Sequence, residues 1–425
     1  MRFVSTRGRS SPASFSQALF AGLAPDGGLY VPELLDPLPI EALRGATLVD
    51  IGTEIAAQFV GGALPRRTLA RLLSDALDFA VPLRALDDRT AVLELFHGPT
   101  FAFKDIGARV MARLMAHFNA GHTALTVLVA TSGDTGSAVA QAFFGVPGTR
   151  VVVLFPQGKV TPVQEAQFTT LGGNVTAVEV SGTFDDCQRL AKEAFADELL
   201  RHRAALTSAN SINIGRLLPQ IFYYVYASLA SGDRAPVISV PSGNFGNLTA
   251  GLLAWKLGAP ITQFVAATTV NDTLPRYLAT GDYQPAPSRP TLANAMDVGD
   301  PSNVERMRWL FANDVAALRA RVTPSVHTDT DVRRTIRDVF DRYDYVCDPH
   351  TAIAYAGLAA ARVTAEVPRV FLATAHPAKF RETVEPVLGV EVPLPAALAT
   401  ALARPRLVDR VAPTLKALRQ LLVNG

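Results

Sequence analysis

The sequence predicts an α/β protein in which two doubly wound, mostly parallel sheets form two lobes, preceded by a small helical N-terminal domain. From about residue 90, short β-branched runs alternate with amphipathic helical patterns, which is typical of parallel sheets with helices on both faces. Polar or glycine-rich loops follow several predicted strands, and such sheets bind ligands beyond the carboxyl ends of their strands. The first 80 residues lack this alternation and are therefore set apart.

The composition narrows the class of protein. The chain has 425 residues, of which 49% are hydrophobic and 18% charged, and its formal net charge is +2. This length exceeds one compact domain. No run of like charges and no apolar run of membrane-spanning length is present, so we expect neither a nucleic-acid partner nor a membrane. The two distant cysteines, Cys187 and Cys347, are expected to be reduced, which together with the absence of a signal-peptide pattern predicts a cytoplasmic protein. The histidines lack metal-ligand spacing, so we expect no bound metal.

The N-terminal region shows helical patterns at residues 50–59 and 65–79, and no nucleophile–base pair. We predict that residues 1–80 form a small helical domain. Residues 81–425 would then form the main region, with a smaller lobe of about residues 105–200 inserted in a larger lobe.

The alternating region supplies the predicted strands and helices. The strands are expected at residues 123–131, 150–155, 175–180, 205–207, 236–240, 263–269 and 369–373. The helices are expected at residues 137–144, 162–171, 185–201, 216–229 and 248–257. The stretch 281–301 is rich in proline, glycine and aspartate and is expected to be an ordered surface loop or a lid.

One lysine lies inside an apolar, aromatic run. Lys104 follows Phe101 and Phe103 and precedes a helical pattern that begins near Ile106. A desolvated lysine loses its proton more easily and becomes a nucleophile able to form a Schiff base. The alternative is a surface lysine whose methylene stem covers the phenylalanines. This segment alone does not decide between the two.

A strand-to-helix loop at residues 242–247 resembles an anion site. Glycine allows close approach to a ligand, and consecutive N–H groups at a helix N-terminus attract a phosphate. The loop has neither the Lys-Ser/Thr ending of a nucleotide-binding loop nor the G-x-G-x-x-G spacing, so it predicts a phosphate without a dinucleotide. A plain glycine-rich turn is the alternative. Its residues are Ser242, Gly243, Asn244, Phe245, Gly246 and Asn247.

Two further loops carry polar side chains after predicted strands. Ser132 and Thr135 offer hydroxyls at a helix start, which suits a carboxylate, although ordinary N-caps would look the same. Downstream, an amide, a hydroxyl and a guanidinium lie within a short segment and suit a second phosphate, with a capped helix and a solvated arginine as the alternative. This second set is Asn210, Ser211 and Arg216, with Lys159 as a possible additional cation.

The last strand is followed by a short polar loop. Thr374 would bring a neutral hydroxyl to a ring nitrogen. His376 is interpreted in preference as a structural histidine.

These segments together resemble the threonine synthases, in their shorter bacterial and fungal form, over essentially the whole chain. GPTFAFKD and SGNFGN together are typical of the threonine synthase branch of fold type II pyridoxal-phosphate enzymes, and the N-terminal STRG is not typical of dehydratases or cysteine synthases. A local departure is Gly215, where some relatives carry serine. The other matching segments are AGLAPDGGLYVPE, ATSGDTGSAVA, PQGKVTPVQE, TSANSINIGRLLPQ, VNDTLPRYL, NAMDVGDPSN and TAHPAKF.

The resemblance implies a fold like that of the tryptophan synthase β subunit and a role for each site residue. Lys104 would form a Schiff base with pyridoxal 5′-phosphate, and residues 242–247 would hold the cofactor phosphate. Thr374 would face the pyridine nitrogen, and Asp134 would lie near the ring hydroxyl, where relatives often carry asparagine. The substrate carboxylate would be bound by Ser132 and Thr135, and the substrate phosphate by Asn210, Ser211 and Arg216, with Lys159 a weaker candidate.

The resemblance also implies the reaction. A threonine synthase is a lyase that converts O-phospho-L-homoserine and water into L-threonine and phosphate by γ-elimination and β-addition, the last step of threonine biosynthesis. Lys104 is the only clear acid or base in the sequence, and a monomer or a homodimer is expected. Three alternatives stay open: a serine/threonine dehydratase, a phospholyase that makes no threonine, and a non-catalytic relative that only binds the cofactor or a phosphorylated metabolite.

Overall fold

The structure is a computed structural model, and it describes residues 1–121, 124–131, 133–203 and 205–424. The strands are β1 Phe3–Ser5, β2 Tyr30–Pro32, β3 Leu83–Ala85, β4 Thr90–Glu94, β5 Leu125–Ala130, β6 Thr149–Pro156, β7 Val175–Val180, β8 Leu206–Ser208, β9 Val237–Pro241, β10 Gln263–Thr268, β11 Val322–Val326, β12 Arg369–Ala373 and β13 Val408–Val411. The helices in the first half are α1 Phe15–Ala21, α2 Leu48–Val60, α3 Arg66–Ala76, α4 Lys104–Phe118, α5 Asp134–Phe143, α6 Pro162–Thr169, α7 Phe184–Ala196, α8 Glu198–Arg203 and α9 Ile214–Leu217. Those that follow are α10 Gln220–Ala230, α11 Gly246–Lys256, α12 Thr273–Thr280, α13 Val304–Leu310, α14 Val315–Arg321, α15 Asp329–Tyr343, α16 Pro349–Gly357, α17 Arg381–Leu388, α18 Ala396–Ala403 and α19 Leu415–Asn424.

Two sheets organise the described chain beyond the N-terminal region. The larger sheet has the strand order β11-β10-β9-β12-β4-β3, and only the β3–β4 pair is antiparallel. The smaller sheet has the order β13-β7-β6-β5-β8, and all its pairs are parallel. Their central strands β5, β9 and β10 are buried along their full length, as expected for sheets covered by helices on both faces. The predicted fold class is confirmed.

The predicted strands agree with the structure to within one or two residues, apart from position 123, which lies outside the described residues. Two predicted helices are each divided in two. The helix expected at residues 216–229 is interrupted at Pro219, between α9 and α10, because proline has no backbone N–H for the helical hydrogen bond, although Leu218 before it keeps helical φ and ψ. The helix expected at residues 185–201 breaks at Asp197, between α7 and α8.

The sequence analysis did not identify β1, β3, β4, β11 and β13 as strands, and β11 and β13 are edge strands. β11 contains Pro324 and β13 is largely exposed, so neither shows a buried apolar run. β8 and β13 extend the smaller sheet beyond residue 200, so this lobe draws on more of the chain than the insertion of about residues 105–200. The predicted domain boundaries stay a prediction.

The N-terminal region carries the antiparallel pair β1–β2 and helices α1 to α3. α2 packs against α10 and α3 against α4, so this region shares a core with the larger lobe. The stretch 281–301 is irregular except for a short 3₁₀ turn at Asn294–Met296. Asn271 fixes it by hydrogen bonds to the backbone of Arg289 and to Asp297 Oδ1. This agrees with the expected ordered loop.

Three properties of the described residues complete the description. None of their helices combines the length and the apolar character that a membrane crossing requires. Cys187 and Cys347 are buried free thiols, as expected. Within the described ranges no group of three or more His, Cys, Asp or Glu residues is arranged to hold a metal ion.

Candidate active site

The predicted lysine segment is held in place by the loop after β12. The backbone N–H of Phe103 donates to Thr374 O at 2.9 Å, and His376 N–H donates to Phe101 O at 3.1 Å. Phe101 itself has a φ of 58°, in the left-handed region that non-glycine residues rarely occupy. These contacts bring Lys104, the first residue of α4, beside the loop that contains Thr374.

Lys104 is partly buried, and its amine forms no hydrogen bond or ion pair within the described ranges. Burial lowers the pKa of Lys104 to about 8. Repulsion from Arg216 and Lys379 acts in the same direction, whereas attraction to Asp134 opposes it. At pH 7 about a tenth of this amine is unprotonated, far more than for a lysine of ordinary pKa, and the unprotonated amine is the nucleophile.

Asp105, the neighbour of Lys104, fixes the preceding turn. Its carboxylate accepts hydrogen bonds from the backbone N–H and the hydroxyl of Thr100, at 2.8 and 2.6 Å. Gly98 is required here because an added Cβ would lie 2.5 Å from Asp105 Oδ2. Burial raises the pKa of Asp105 to about 6, against the opposing effect of the Thr100 hydrogen bonds. This network explains why Gly98, Thr100 and Asp105 accompany the lysine in the GPTFAFKD segment.

Asp134, the first residue of α5, forms a buried ion pair that the sequence analysis did not foresee. Lys379 Nζ lies 2.6 Å from Asp134 Oδ1, and Gln164 Nε2 donates to the same oxygen at 2.9 Å. Burial alone would raise the pKa of Asp134, but attraction to Lys379 and Lys104 holds it well below its usual range. Lys379 and Gln164 lie inside the TAHPAKF and PQGKVTPVQE segments, which was the only signal for them in the sequence.

The loop at residues 242–247 has the geometry of an anion site. Among the described residues, no acceptor pairs with the five consecutive backbone N–H groups from Gly243 to Asn247, which lie at the N-terminus of α11. Phe245 has a φ of 55°, a strained conformation at the turn into the helix. Gly243 packs against the 294–296 turn, since an added Cβ would lie 2.6 Å from Met296 Cα. Ser242 is anchored by its own backbone N–H to Ala267 O and by its hydroxyl to Val240 O.

The side chains of Asn244 and Asn247 in this loop form hydrogen bonds within the protein, unlike the backbone N–H groups of residues 243–247. Asn247 Oδ1 accepts hydrogen bonds from the hydroxyls of Tyr223 and Tyr224, at 2.5 and 2.7 Å. The buried Asn247 Nδ2 has no partner within the described ranges. Asn244 Nδ2 donates to Ser211 Oγ at 2.7 Å, which joins this loop to the second predicted phosphate site. The two loops therefore lie side by side.

The second predicted phosphate site contains unpaired polar atoms. Arg216 is buried, its Nη1 donates to Ala209 O at 2.6 Å, and its Nε has no partner among the described residues. Burial lowers the pKa of Arg216 to about 10, so the guanidinium stays charged at neutral pH. Asn210 Oδ1 is also buried without a partner in the described chain. An unsatisfied buried group is costly, which is why such a set suits a ligand.

An arginine remote in the sequence, Arg306, holds the backbone of the segment at residues 208–216 by hydrogen bonds. Arg306 on α13 is buried and donates to Ser211 O, Ile212 O and Tyr30 O and to Asn303 Oδ1, at 2.6 to 3.3 Å. Burial lowers the pKa of Arg306 to about 9. The sequence analysis did not identify this residue.

The N-terminal region also contacts the second site. Thr207 Oγ1 donates to Phe20 O at 2.8 Å, and Asn213 Nδ2 donates to Leu19 O at 2.8 Å. At Gly215, an added Cβ would lie 2.2 Å from Leu19 Cδ1. Helix α1 thus packs directly on the segment that carries Asn210 and Arg216.

The remaining predicted residues differ in position. Ser132 lies outside the described residues. Thr135, in the first turn of α5, is partly buried beside Asp134, and its loop is shaped by Thr131 Oγ1, which accepts from the backbone N–H groups of Gly133 and Gly136. Lys159 is exposed on the turn after β6 and has no side-chain partner in the described chain.

The loop after β12 contributes Thr374, whose side chain is buried, and His376. His376 Nδ1 accepts from Ala378 N–H at 3.1 Å and caps the 3₁₀ turn Pro377–Phe380. Burial lowers the pKa of His376 to about 4, so the ring is neutral at physiological pH. This geometry agrees with the preferred structural role of the histidine.

Three family models match this chain. They describe a threonine synthase N terminus at residues 2–77, a pyridoxal-phosphate dependent enzyme at residues 81–374 and a threonine synthase C-terminal region at residues 351–422. Together they span nearly the whole sequence.

Full-length relatives lead to the same family. Threonine synthase from Serratia marcescens is 44% identical over 430 residues, which cover 100% of this chain and 99% of the relative. The crystal structure of threonine synthase from Escherichia coli has a TM-score of 0.94 and 41% identity, with 100% of both chains covered. The structure of PLP-bound threonine synthase from Brucella melitensis has a TM-score of 0.94 and 37% identity, covering 100% of this chain and 99% of that one. The chain therefore belongs to the threonine synthase family of pyridoxal-phosphate-dependent enzymes.

Proposed function

We propose that this protein converts O-phospho-L-homoserine and water into L-threonine and phosphate. The observation that carries the proposal is a nucleophilic lysine beside two anion sites that are built differently. Lys104 has a lowered pKa, residues 243–247 offer a row of unpaired backbone N–H groups, and Arg216 offers a buried guanidinium. A cofactor phosphate and a substrate phosphate would occupy one site each. The family membership of the chain favours this substrate class.

The residues fit pyridoxal 5′-phosphate. Residues 243–247 would hold its phosphate by backbone N–H groups at the N-terminus of α11, where the helix dipole also favours an anion. Lys104 would bind its aldehyde carbon, Asp134 would lie at its ring hydroxyl, and Thr374 would lie at its ring nitrogen. When bound, this cofactor supplies an electron sink for charge that develops at the substrate Cα.

The protein residues would then move protons and hold the substrate. Lys104 would take the proton from Cα, since its amine has no partner among the described residues. A second proton leaves Cβ as the Cγ–O bond breaks, and a proton is returned to Cγ. Water adds its hydroxyl to Cβ and a proton to Cα, which gives threonine and balances the reaction.

The substrate itself would be fixed at both ends. Arg216, Asn210 and Ser211 would bind the phosphate through charge-assisted hydrogen bonds and retain it as it leaves. Ser132 and Thr135 would bind the carboxylate, together with the N–H groups of Asp134 and Thr135, which have no acceptor in the described chain. Lys159 would need to fold inwards to add a second cation. The released phosphate, held by Arg216, is a candidate base for the attacking water.

Three wider statements belong to the same proposal. We propose a cytoplasmic location, supported by the free buried thiols of Cys187 and Cys347. A monomer or a homodimer is proposed for the assembly. The division into residues 1–80 and 81–425 is supported by the different sheets that the two regions form.

The experiment that tests the function measures two products at once. Purified protein is supplied with pyridoxal phosphate, its visible spectrum is recorded, and threonine and phosphate are assayed after addition of O-phospho-L-homoserine. We expect equal amounts of both, and neither with Lys104→Ala. Phosphate together with 2-oxobutanoate and without threonine would instead identify a phospholyase. A protein that binds the cofactor and turns over nothing would be a binding protein only.

A further inference from the structure

Lys379 is a fully buried lysine outside the set of residues predicted to act on the substrate or the cofactor. It follows the loop after β12, in the 3₁₀ turn Pro377–Phe380, and its side chain has no solvent exposure. Lysine is almost never buried in this way unless it is paired. A buried ammonium is costly, so its pairing is expected to serve either stability or function.

The partners of Lys379 all belong to the lysine segment and its surroundings. Its Nζ lies 2.6 Å from Asp134 Oδ1 and donates to Thr100 O at 2.8 Å. Thr100 in turn donates to Asp105, the residue after Lys104. Lys379 thus connects the carboxylate at the start of α5 with the turn that positions Lys104.

Asp134 is placed between two amines. Asp134 and Lys104 are the first residues of α5 and α4, which pack side by side. If Lys379 were absent, the strongest cation available to Asp134 would be Lys104 itself. An ion pair of that kind would keep Lys104 protonated and turned away from an incoming carbonyl carbon.

We propose that Lys379 is a positioning residue that occupies Asp134 and thereby keeps the amine of Lys104 free. Lys379 favours the unprotonated amine of Lys104 in two ways: it neutralises the adjacent carboxylate, and it repels a second positive charge. The charged groups that act on Lys104 are Asp134 on α5, Arg216 on α9 and Lys379 after β12, whereas the carboxylate of its neighbour Asp105 is bonded to Thr100. Of these, Lys379 is the cation that directly contacts the carboxylate.

The test titrates Lys104 directly in the cofactor-free protein. Each variant is pulsed with an amine-acylating reagent over a series of pH values, and labelling of Lys104 is measured by mass spectrometry of its peptide. Lys192, an exposed lysine on α7, is measured in the same samples as an internal control. The inference relies on the proposed function only in taking Lys104 as the reacting amine, and labelling requires neither substrate nor turnover.

The expected shifts have opposite signs. Lys379→Met should raise the labelling midpoint of Lys104 by about one pH unit or more, because Asp134 then stabilises the protonated amine. Asp134→Asn should lower the midpoint, because it removes the stabilising anion. The double variant Asp134→Asn/Lys379→Met should fall between the two. Lys192 should not move in any of them.

Two further measurements separate positioning from a purely structural role. Circular dichroism establishes whether each variant is folded, and Lys379→Arg keeps the charge if Lys379→Met does not fold. The arginine variant should keep the midpoint within about half a pH unit of the wild type, because its charge still occupies Asp134. Equal midpoints in folded wild type, Lys379→Met and Asp134→Asn would overturn the proposal, as would a downward shift in Lys379→Met. Loss of threonine formation with normal labelling shifts would count against the proposed function alone.

Discussion

The two predicted phosphate sites are neighbours, but they are built in different ways. The loop at residues 242–247 presents backbone N–H groups, and it is held by strands β9 and β10 and by the turn at Asn294–Met296. The segment at residues 208–216 presents side chains, and it is held by Arg306 and by helix α1. Asn244 and Ser211 connect the two by one hydrogen bond of 2.7 Å.

This difference has a physical consequence. A site made of backbone N–H groups depends on local conformation, so it tolerates changes in its own side chains and fails when the backbone shifts. A site made of side chains depends on remote supports, so it fails when a distant partner is removed. The first site would bind a resident cofactor, and the second a substrate that must leave after each turnover.

The most sensitive point of the second site is Arg216. Arg216→Met should lower kcat/KM for O-phospho-L-homoserine by about 10²- to 10³-fold, because a buried charge-assisted contact to phosphate is lost. Arg216→Lys should lie between this variant and the wild type, since it keeps the charge without the fork of donors. The visible spectrum of the bound cofactor serves as the control and should not change. Equal loss of cofactor binding would show that the two sites are not separate.

Removal of Arg306, which holds the segment at residues 208–216, should lower protein stability as well as substrate binding. Arg306→Met leaves four oxygen acceptors without their donor, and we expect a loss on the order of 2–4 kcal/mol in unfolding free energy. Urea unfolding followed by the fluorescence of Trp255 and Trp309 measures it. Arg308→Met is the matched control, because Arg308 lies exposed on the same helix and should cost at most about 0.5 kcal/mol. Similar losses in both variants would contradict the supporting role of Arg306.

The first site should respond to a backbone change. In Gly243→Ala the new Cβ would meet Met296 Cα at 2.6 Å, so the loop or the turn must move. Cofactor affinity should fall by about 10- to 100-fold, as expected for overpacking of 1–3 kcal/mol, and a fluorescence titration with pyridoxal phosphate measures it. Gly62→Ala is the control, because an added Cβ there has no neighbour within 4 Å. Unchanged cofactor affinity in Gly243→Ala would exclude this loop from the cofactor site.

The smallest effect is expected from the tyrosines that donate hydrogen bonds to Asn247 in the loop at residues 242–247. Tyr223→Phe removes one of the two hydroxyls that donate to Asn247 Oδ1, while Tyr224 keeps its own bond at 2.7 Å. We expect a loss of about 1 kcal/mol or less in unfolding free energy and little change in cofactor affinity. The double variant Tyr223→Phe/Tyr224→Phe leaves the amide without its donors and should cost more than the sum of the single changes. Strict additivity would show that the two tyrosines act independently.

The features that could be predicted from the sequence are those that depend on residues close together in the chain. Lys104 and the loop at residues 242–247 were identified because an apolar run around a lysine and glycines between strand and helix are local signals. The two parallel sheets followed from the alternation of strands and helices. Edge strands β11 and β13 were missed because a buried apolar run is absent from them.

The residues that sequence analysis missed are those whose partners are remote in the chain. Lys379 contacts Thr100 across 279 positions, and Arg306 contacts Tyr30 across 276. Neither residue has a local pattern that distinguishes it from a solvated lysine or arginine. Only the folded arrangement shows that both are buried and paired.

The packing of helix α1 on Gly215 links two positions that are far apart in the chain. Because an added Cβ at residue 215 would lie 2.2 Å from Leu19 Cδ1, a larger residue at 215 requires a new rotamer of Leu19, a smaller residue at 19 or a displaced helix. A relative with serine at the equivalent of Gly215 would therefore be expected to carry a compensating change at the equivalent of Leu19. The two positions should covary across the family, and either substitution introduced alone into this chain should be deleterious while the pair is tolerated.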